Sequence, residues 1–318
     1  MSFSAAVVMT AAVAIVVPLL AQAPTFRTDA DVVRVYATVT DESGAIVQDL
    51  SPDDFGVYED GRLRPLALMN ADPQPFSAVV MLDLSQSMTA FRALLTDGAS
   101  TFTSRFLPRD RARMGSFGGP TVFLEPGAFS GDRRELGQAV DIQLARARGG
   151  GSPIWQSVDY GLDALRSEPF RRVVILFSDG YNNRTLELHD EYGALLAKPP
   201  SFGRIKQRAR VDDVMAYALG FVTRSTTTSR WGETWTDIPP DPALKDLARD
   251  SGGGYVEVNA LSDFNGIFSR IADELHGQYL LGFVPAAHDG KTHDIAVKVR
   301  RPGLTVRARA VYVAETAR

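Results

Sequence analysis

The chain of 318 residues has no cysteine. That single absence removes thiolate catalysis, cysteine-based zinc sites and disulfides. Histidine is scarce: His189, His276, His288 and His293 fall in unrelated segments without ligand spacing, a pattern of surface or packing roles. There is no basic surplus, because 34 Lys and Arg against 38 Asp and Glu leave a formal net charge of -4. This argues against a partner with a phosphate backbone, so no nucleic acid is expected. Short basic pairs such as Arg133-Arg134 and Arg171-Arg172 read as solvated ends of elements. No Gly-x-Ser-x-Gly elbow or triad is present, which argues against a serine hydrolase. The Gly149-Gly150-Gly151 run lacks the Lys-Ser/Thr of a phosphate loop.

A hydrophobic content of 45% with 23% charged residues is that of a globular protein. The length exceeds one average domain, so a large unit with a smaller module is expected. From Ala5 to Ala21 no residue is charged, and Ala21-Gln22-Ala23 offers a small-x-small cleavage pattern. Residues 1–23 therefore read as a signal peptide or an N-terminal anchor. The leader has no Lys or Arg before its apolar run, and Pro24 follows the cut. Roughly 17–25 apolar residues suffice to span a bilayer, so retention stays open beside cleavage. The expected location is periplasmic or secreted, with membrane contact only through a retained leader.

Residues 24–72 read as antiparallel strands. Val33 to Thr40 alternates apolar and polar positions, Ala45 to Leu50 reads as a short partner, and Phe55 to Glu59 enters an Asp60-Gly61 turn with Arg62 to Leu68 returning. After Pro73 to Pro75 the pattern changes. Ser77 to Asp83, Arg172 to Ser178 and Val214 to Phe221 are nearly continuous apolar runs, as expected of strands covered on both faces. Between them lie helical patterns at Met88 to Phe106, Arg134 to Ala145, Ile154 to Leu165 and about 205–211. Thr223 to Pro240 reads as a polar loop containing Trp231 and Trp235. A helix (Pro242 to Ala248), a strand (Gly254 to Val258) and a helix (Asp263 to Leu275) follow. Such alternation implies βαβ units and a mainly parallel sheet. Residues 277–318 return to strands. The expected fold is α/β: a doubly wound, mainly parallel sheet over 76–276, inserted into a small β-sandwich made by 24–72 and 277–318, since each terminal half alone would leave exposed edges.

Asp83-Leu84-Ser85-Gln86-Ser87 follows one buried strand directly, and Asp179 closes another. In open parallel sheets ligands bind outside the carboxyl ends of the strands. Two carboxylates with serine hydroxyls offer only hard oxygen donors, which suit Mg²⁺ or Ca²⁺ and disfavour zinc or copper. Alone, Asp-x-Ser-x-Ser mostly marks a helix N-cap, a position that Asp and Ser favour. The helix expected after Ser87 would point its positive end at this site and favour an anionic visitor.

Asp83-x-Ser85-x-Ser87 together with Ser178-Asp179-Gly180 resembles the von Willebrand factor A domain and its metal-ion-dependent adhesion site. The resemblance implies that Asp83, Ser85, Ser87, Ser152 and Asp179 hold Mg²⁺ (or Ca²⁺ or Mn²⁺), with one or both aspartates acting through water. At 152 the family usually has threonine; serine keeps the hydroxyl but loses the methyl that fixes its rotamer. Gln86, Gly151, Asn182 and Asn183 would form the rim. Asp53 to Gly61 and Gly277 to Phe283 are similar to the flanks of the VWFA-related proteins of Acidobacteria. The function implied is non-enzymatic: capture of an Asp or Glu of a protein partner by the cation. An envelope scaffold with an incidental metal is the alternative, and a hydrolase using Ser85 or Ser87 a remote one.

Overall fold

The computed structural model describes residues 32–316 apart from 147–149, 183–188, 191, 197, 231 and 260–261. The leader, Gly149, Asn183 and Trp231 therefore lie outside the described residues.

The N-terminal segment supplies β1 (Val33–Thr40), β2 (Phe55–Glu59), β3 (Arg62–Arg64) and β4 (Leu66–Asn70). Ala45 to Leu50 is not a strand: a turn closes on Asp41, a single bridge joins Thr40 to Ile46, and the Leu50 amide donates to the Tyr279 hydroxyl at 3.0 Å. The expected strand from Arg62 to Leu68 is two strands broken at Pro65. Proline donates no hydrogen bond to a ladder, and the chain uses that gap to change sheets: β3 pairs with β2, while β4 pairs with β13 (Tyr279–Phe283).

The central sheet contains β5 (Phe76–Asp83), β6 (Arg111–Phe117), β7 (Phe123–Ser130), β8 (Arg171–Ser178), β9 (Val214–Phe221) and β12 (Tyr255–Val258). Its order is β12-β9-β8-β5-β6-β7, parallel throughout except for the antiparallel edge strand β7. The helices are α1 (Arg92–Ser104), α2 (Arg133–Ala145), α3 (Ile154–Leu165), α4 (Phe202–Val211), α5 (Pro242–Ser251) and α6 (Phe264–Gly277). They cover both faces, which explains the unbroken apolar run of β5. Ala78, Val80 and Leu82 pack under α1, α2 and α6, whereas Val79 and Met81 pack under α3 and its neighbours. Close approach of α1 to α6 requires Gly98, since a Cβ there would lie 1.7 Å from the Phe268 ring.

Between β9 and α5, β10 (Thr223–Ser229) and β11 (Gly232–Ile238) form an antiparallel pair that joins no other strand among the described residues. Threonine and tryptophan favour strands, but with both hairpin faces in solvent no apolar alternation arises to announce them. The C-terminal segment adds β13, β14 (Thr292–Val299), β15 (Thr305–Ala308) and β16 (Val311–Val313). The expected single strand from Leu304 to Val313 again divides to change sheets, β15 joining β1 and β16 joining β14. The resulting sheets, β15-β1-β13-β4 and β16-β14-β2-β3, face each other across a core that includes Val35, Val57, Tyr279, Phe283, Ile295 and Tyr312. The chain is thus a doubly wound α/β unit set within a β-sandwich built from both terminal segments. Among the described residues no helix is long and apolar enough to cross a membrane.

Candidate functional site

The chain leaves β5 toward β6 on one side and returns to β8 on the other. The carboxyl ends of β5 and β8 therefore flank the topological switch point, where the ends of diverging loops leave a crevice. Asp83 ends β5 and is fully buried. Parallel pairing of Leu82 with Phe177 sets Ser178 beside it, and Asp179 follows with 1% of its surface exposed.

Every oxygen of the Asp83 carboxylate is engaged. Oδ1 accepts from the Ser85 amide at 3.0 Å. Oδ2 accepts from the Ser152 hydroxyl at 2.8 Å and from the Ser178 hydroxyl at 2.6 Å. Burial without a cation pushes Asp83 up to about 6, while hydrogen bonds from Ser178, Ser85 and Ser152 pull the other way without prevailing. Ser178 in turn accepts from the Gly180 amide at 3.0 Å. Sequence reasoning passed over Ser178 because it reads as the last residue of a buried strand; only the β5–β8 register gives it a role.

The chain after Asp83 differs from expectation. A 3-10 turn (Gln86–Phe91) precedes α1, which begins at Arg92. The Thr89 hydroxyl donates back to the Gln86 carbonyl at 2.8 Å, a local bond that competes with a regular first helical turn. The full helix whose positive end lies at the site is instead α3, which starts two residues after Ser152. Gly118 lets the loop after β6 press against this turn: its φ is +130°, and a Cβ would stand 2.4 Å from the Ser85 nitrogen. The Leu84 amide donates to the Phe117 carbonyl at 2.7 Å, and that of Gln86 to the Gly150 carbonyl at 3.4 Å.

Direct hydrogen bonds thus join Asp83, Ser85, Ser87 and Ser152, with the Ser85 and Ser87 hydroxyls 3.2 Å apart. Asp179 is joined to them through the backbone of Ser178, and its own Oδ1 accepts from the Tyr181 amide at 3.2 Å. Of the expected rim, Gln86 is exposed and Gly151 partly so. Asn182 receives the Trp155 amide at 3.3 Å, which ties it to the start of α3. The Tyr181 hydroxyl donates to the Pro239 carbonyl at 2.9 Å, and β10 packs on the 3-10 turn, so the hairpin with exposed Trp235 stands beside the crevice.

The donor set fits a small divalent cation. Oxygen ligands about 2.1 Å from Mg²⁺ and at right angles lie about 3.0 Å apart, close to the Ser85–Ser87 separation of 3.2 Å. The Ser152 hydroxyl spends its proton on Asp83, which leaves its lone pairs free for a cation. Among the described residues no three His, Asp or Glu side chains are grouped so as to hold a metal ion; a cation at this site would rest on hydroxyls and would keep positions for water or an outside carboxylate. The Ser85 hydroxyl faces that of Ser87.

No protein-family model and no curated protein matches the chain. Among solved structures it is similar to BatB from Bacteroides thetaiotaomicron, at 16% identity over 63% of this chain and 98% of that one, with a TM-score of 0.47. It is similar also to a von Willebrand factor type A protein from Catenulispora acidiphila, at 11% identity over 90% and 74% of the two chains, TM-score 0.48. A third similarity is to proximal thread matrix protein 1 from the mussel byssus with a zinc-occupied MIDAS motif. It is 16% identical over 67% of this chain and 48% of that one, TM-score 0.45.

Proposed function

We propose that this chain is an exported, non-enzymatic binding protein with a von Willebrand factor A-type domain over residues 76–276, which holds Mg²⁺ and presents it to an acidic group of a partner protein. The observation that carries this reading is the position of the Asp83–Ser85–Ser87–Ser152 group at the switch point of the sheet, with a buried carboxylate that burial alone disfavours. Ser85, Ser87 and Ser152 would hold the cation directly, and Asp83 and Asp179 would act around it, in part through water. A bound cation supplies a Lewis-acidic position that a carboxylate oxygen enters. The protein's own contribution is rigidity: Ser152 and Ser178 fix the Asp83 carboxylate, and Gly118 fixes the backbone of Ser85. Gln86, Gly151 and Asn182 border the opening, and the β10–β11 hairpin adds a polar wall that selects among partners.

The mature chain immobilised on resin and exposed to the native envelope fraction tests this. Partner capture is expected in Mg²⁺ and lost both in EDTA and with Asp83→Ala. Capture that survives EDTA would favour a scaffold whose metal is incidental.

A further inference from the structure

A second cavity lies at the opposite end of the central sheet. Pro75, just before β5, lines it, and the length of β5 puts it about 20 Å or more from Asp83. Its volume is ≈ 520 Å³, within the usual range of small-molecule sites. One wall comes from the amino ends of the central strands, with Arg109, Arg171, Arg172 and Asp213. The other comes from the sandwich, with Tyr36 and Arg309.

The charges there do not balance. Arg171 is 8% exposed, yet its acceptors are neutral: the Gln278 side-chain oxygen at 2.5 Å and the Leu275 carbonyl at 2.6 Å. Its guanidinium stacks on Tyr36 at 4.7 Å, and its Nε is buried without a partner. Among the described residues Arg172 is likewise bonded to carbonyls alone, of Asp212 at 2.7 Å and Glu168 at 3.2 Å. Arg109 is exposed and lies over the Phe170 ring at 5.0 Å. Among the described residues, Arg309 alone of these four arginines meets a carboxylate, that of Asp213, and its Nε is also buried and unpartnered. A buried guanidinium whose direct partners are all neutral is costly, with the Asp110 and Glu274 carboxylates acting on Arg171 only through space, and planar guanidinium groups around one space suit a carboxylate or phosphate. Phe170, Met215, Leu68 and Leu280 add apolar wall, which suits a carbon skeleton beside the anionic group.

We propose that this cavity binds a small organic anion, bearing a phosphate or a carboxylate, that supplies the counter-charge to Arg171 and Arg172. The site is separate from the candidate cation centre and needs no metal. Asp213 is its competitor: it occupies Arg309 in the absence of ligand, so its removal strengthens binding.

Titration calorimetry on the full chain in EDTA, with inorganic phosphate in one arm and citrate in the other, tests this. Saturable one-to-one binding that weakens with added NaCl is expected in at least one arm. Phosphate alone would assign a phosphorylated ligand, citrate alone a carboxylate. Arg171 is too buried to replace safely, so Arg109→Glu and Arg172→Gln serve as probes. Each is expected to weaken binding about tenfold, the loss of one charged contact, while Asp213→Asn tightens it. The proposal is overturned if neither anion saturates, if both arginine variants bind as tightly as the parent, or if binding requires Mg²⁺.

Discussion

Asp83→Asn should stabilise the metal-free protein. Burial holds the Asp83 carboxyl at about 6 against an ordinary 3.8, and a displacement of one pH unit is worth about 1.4 kcal/mol. The sign follows from proton binding. Between about pH 4 and 6 the native state keeps a proton that the unfolded chain has released, so stability falls as pH rises through this window and stays lower above it. The full difference of roughly two pH units amounts to about 3 kcal/mol at pH 7.5. Asparagine removes the charge but offers one acceptor oxygen where the carboxylate had two, which costs back about 1 kcal/mol for a displaced hydrogen bond. A net gain of about 1–2 kcal/mol is therefore expected from urea unfolding in EDTA at pH 7.5, vanishing at pH 4. Saturating Mg²⁺ should reverse the order, because ligand at a hundred times its Kd adds about 2.7 kcal/mol to a protein that binds it. A parent whose stability in EDTA falls no more between pH 4 and 6 than that of the variant would show that burial does not hold a proton on Asp83.

Three further outcomes are expected. Ser178→Ala removes a 2.6 Å bond to Asp83 and should weaken Mg²⁺ affinity about tenfold or more, as loss of an outer-shell partner does, measured by calorimetry. Gly98→Ala forces a methyl onto the Phe268 ring at 1.7 Å and should cost about 1–3 kcal/mol; Phe268→Leu in the same chain should recover part of it in urea titrations. His293 sits between Asp60 at 2.8 Å and Asp289 at 3.0 Å, which raises its pKa, lowers that of Asp60 and holds Asp289 at about 2. The aspartates contribute above about pH 4 and the imidazolium contributes until pH passes its raised pKa, so Tm should decline above about pH 6.5, and His293→Gln should remove that decline.

The α/β core was legible because burial on both faces writes an unbroken apolar run, as in Ser77 to Leu82 and Val173 to Phe177. Asp83 and Asp179 stood out as charges at the ends of such runs. What escaped depends on neighbours that linear order does not give. Ser178 acquires its role from the β5–β8 register, and Gly118 from a loop that folds back on Ser85. The β10–β11 hairpin buries almost nothing, so its strands carry no alternation. The sheet changes at Pro65 and at Arg309-Ala310 interrupt strands whose side-chain pattern continues across the break. The uncompensated Arg171 read as a solvated strand end, although packing of the sandwich against the central sheet buries it.

Calorimetric titration of Mg²⁺ into the metal-free chain and into Asp83→Ala separates a cation site from a merely hydrogen-bonded cluster of hydroxyls. One saturable site is expected in the parent, with a rise in Tm on binding, and neither in the variant. Equal binding or equal thermal stabilisation of the two proteins would mean that Asp83 and its serines hold no cation.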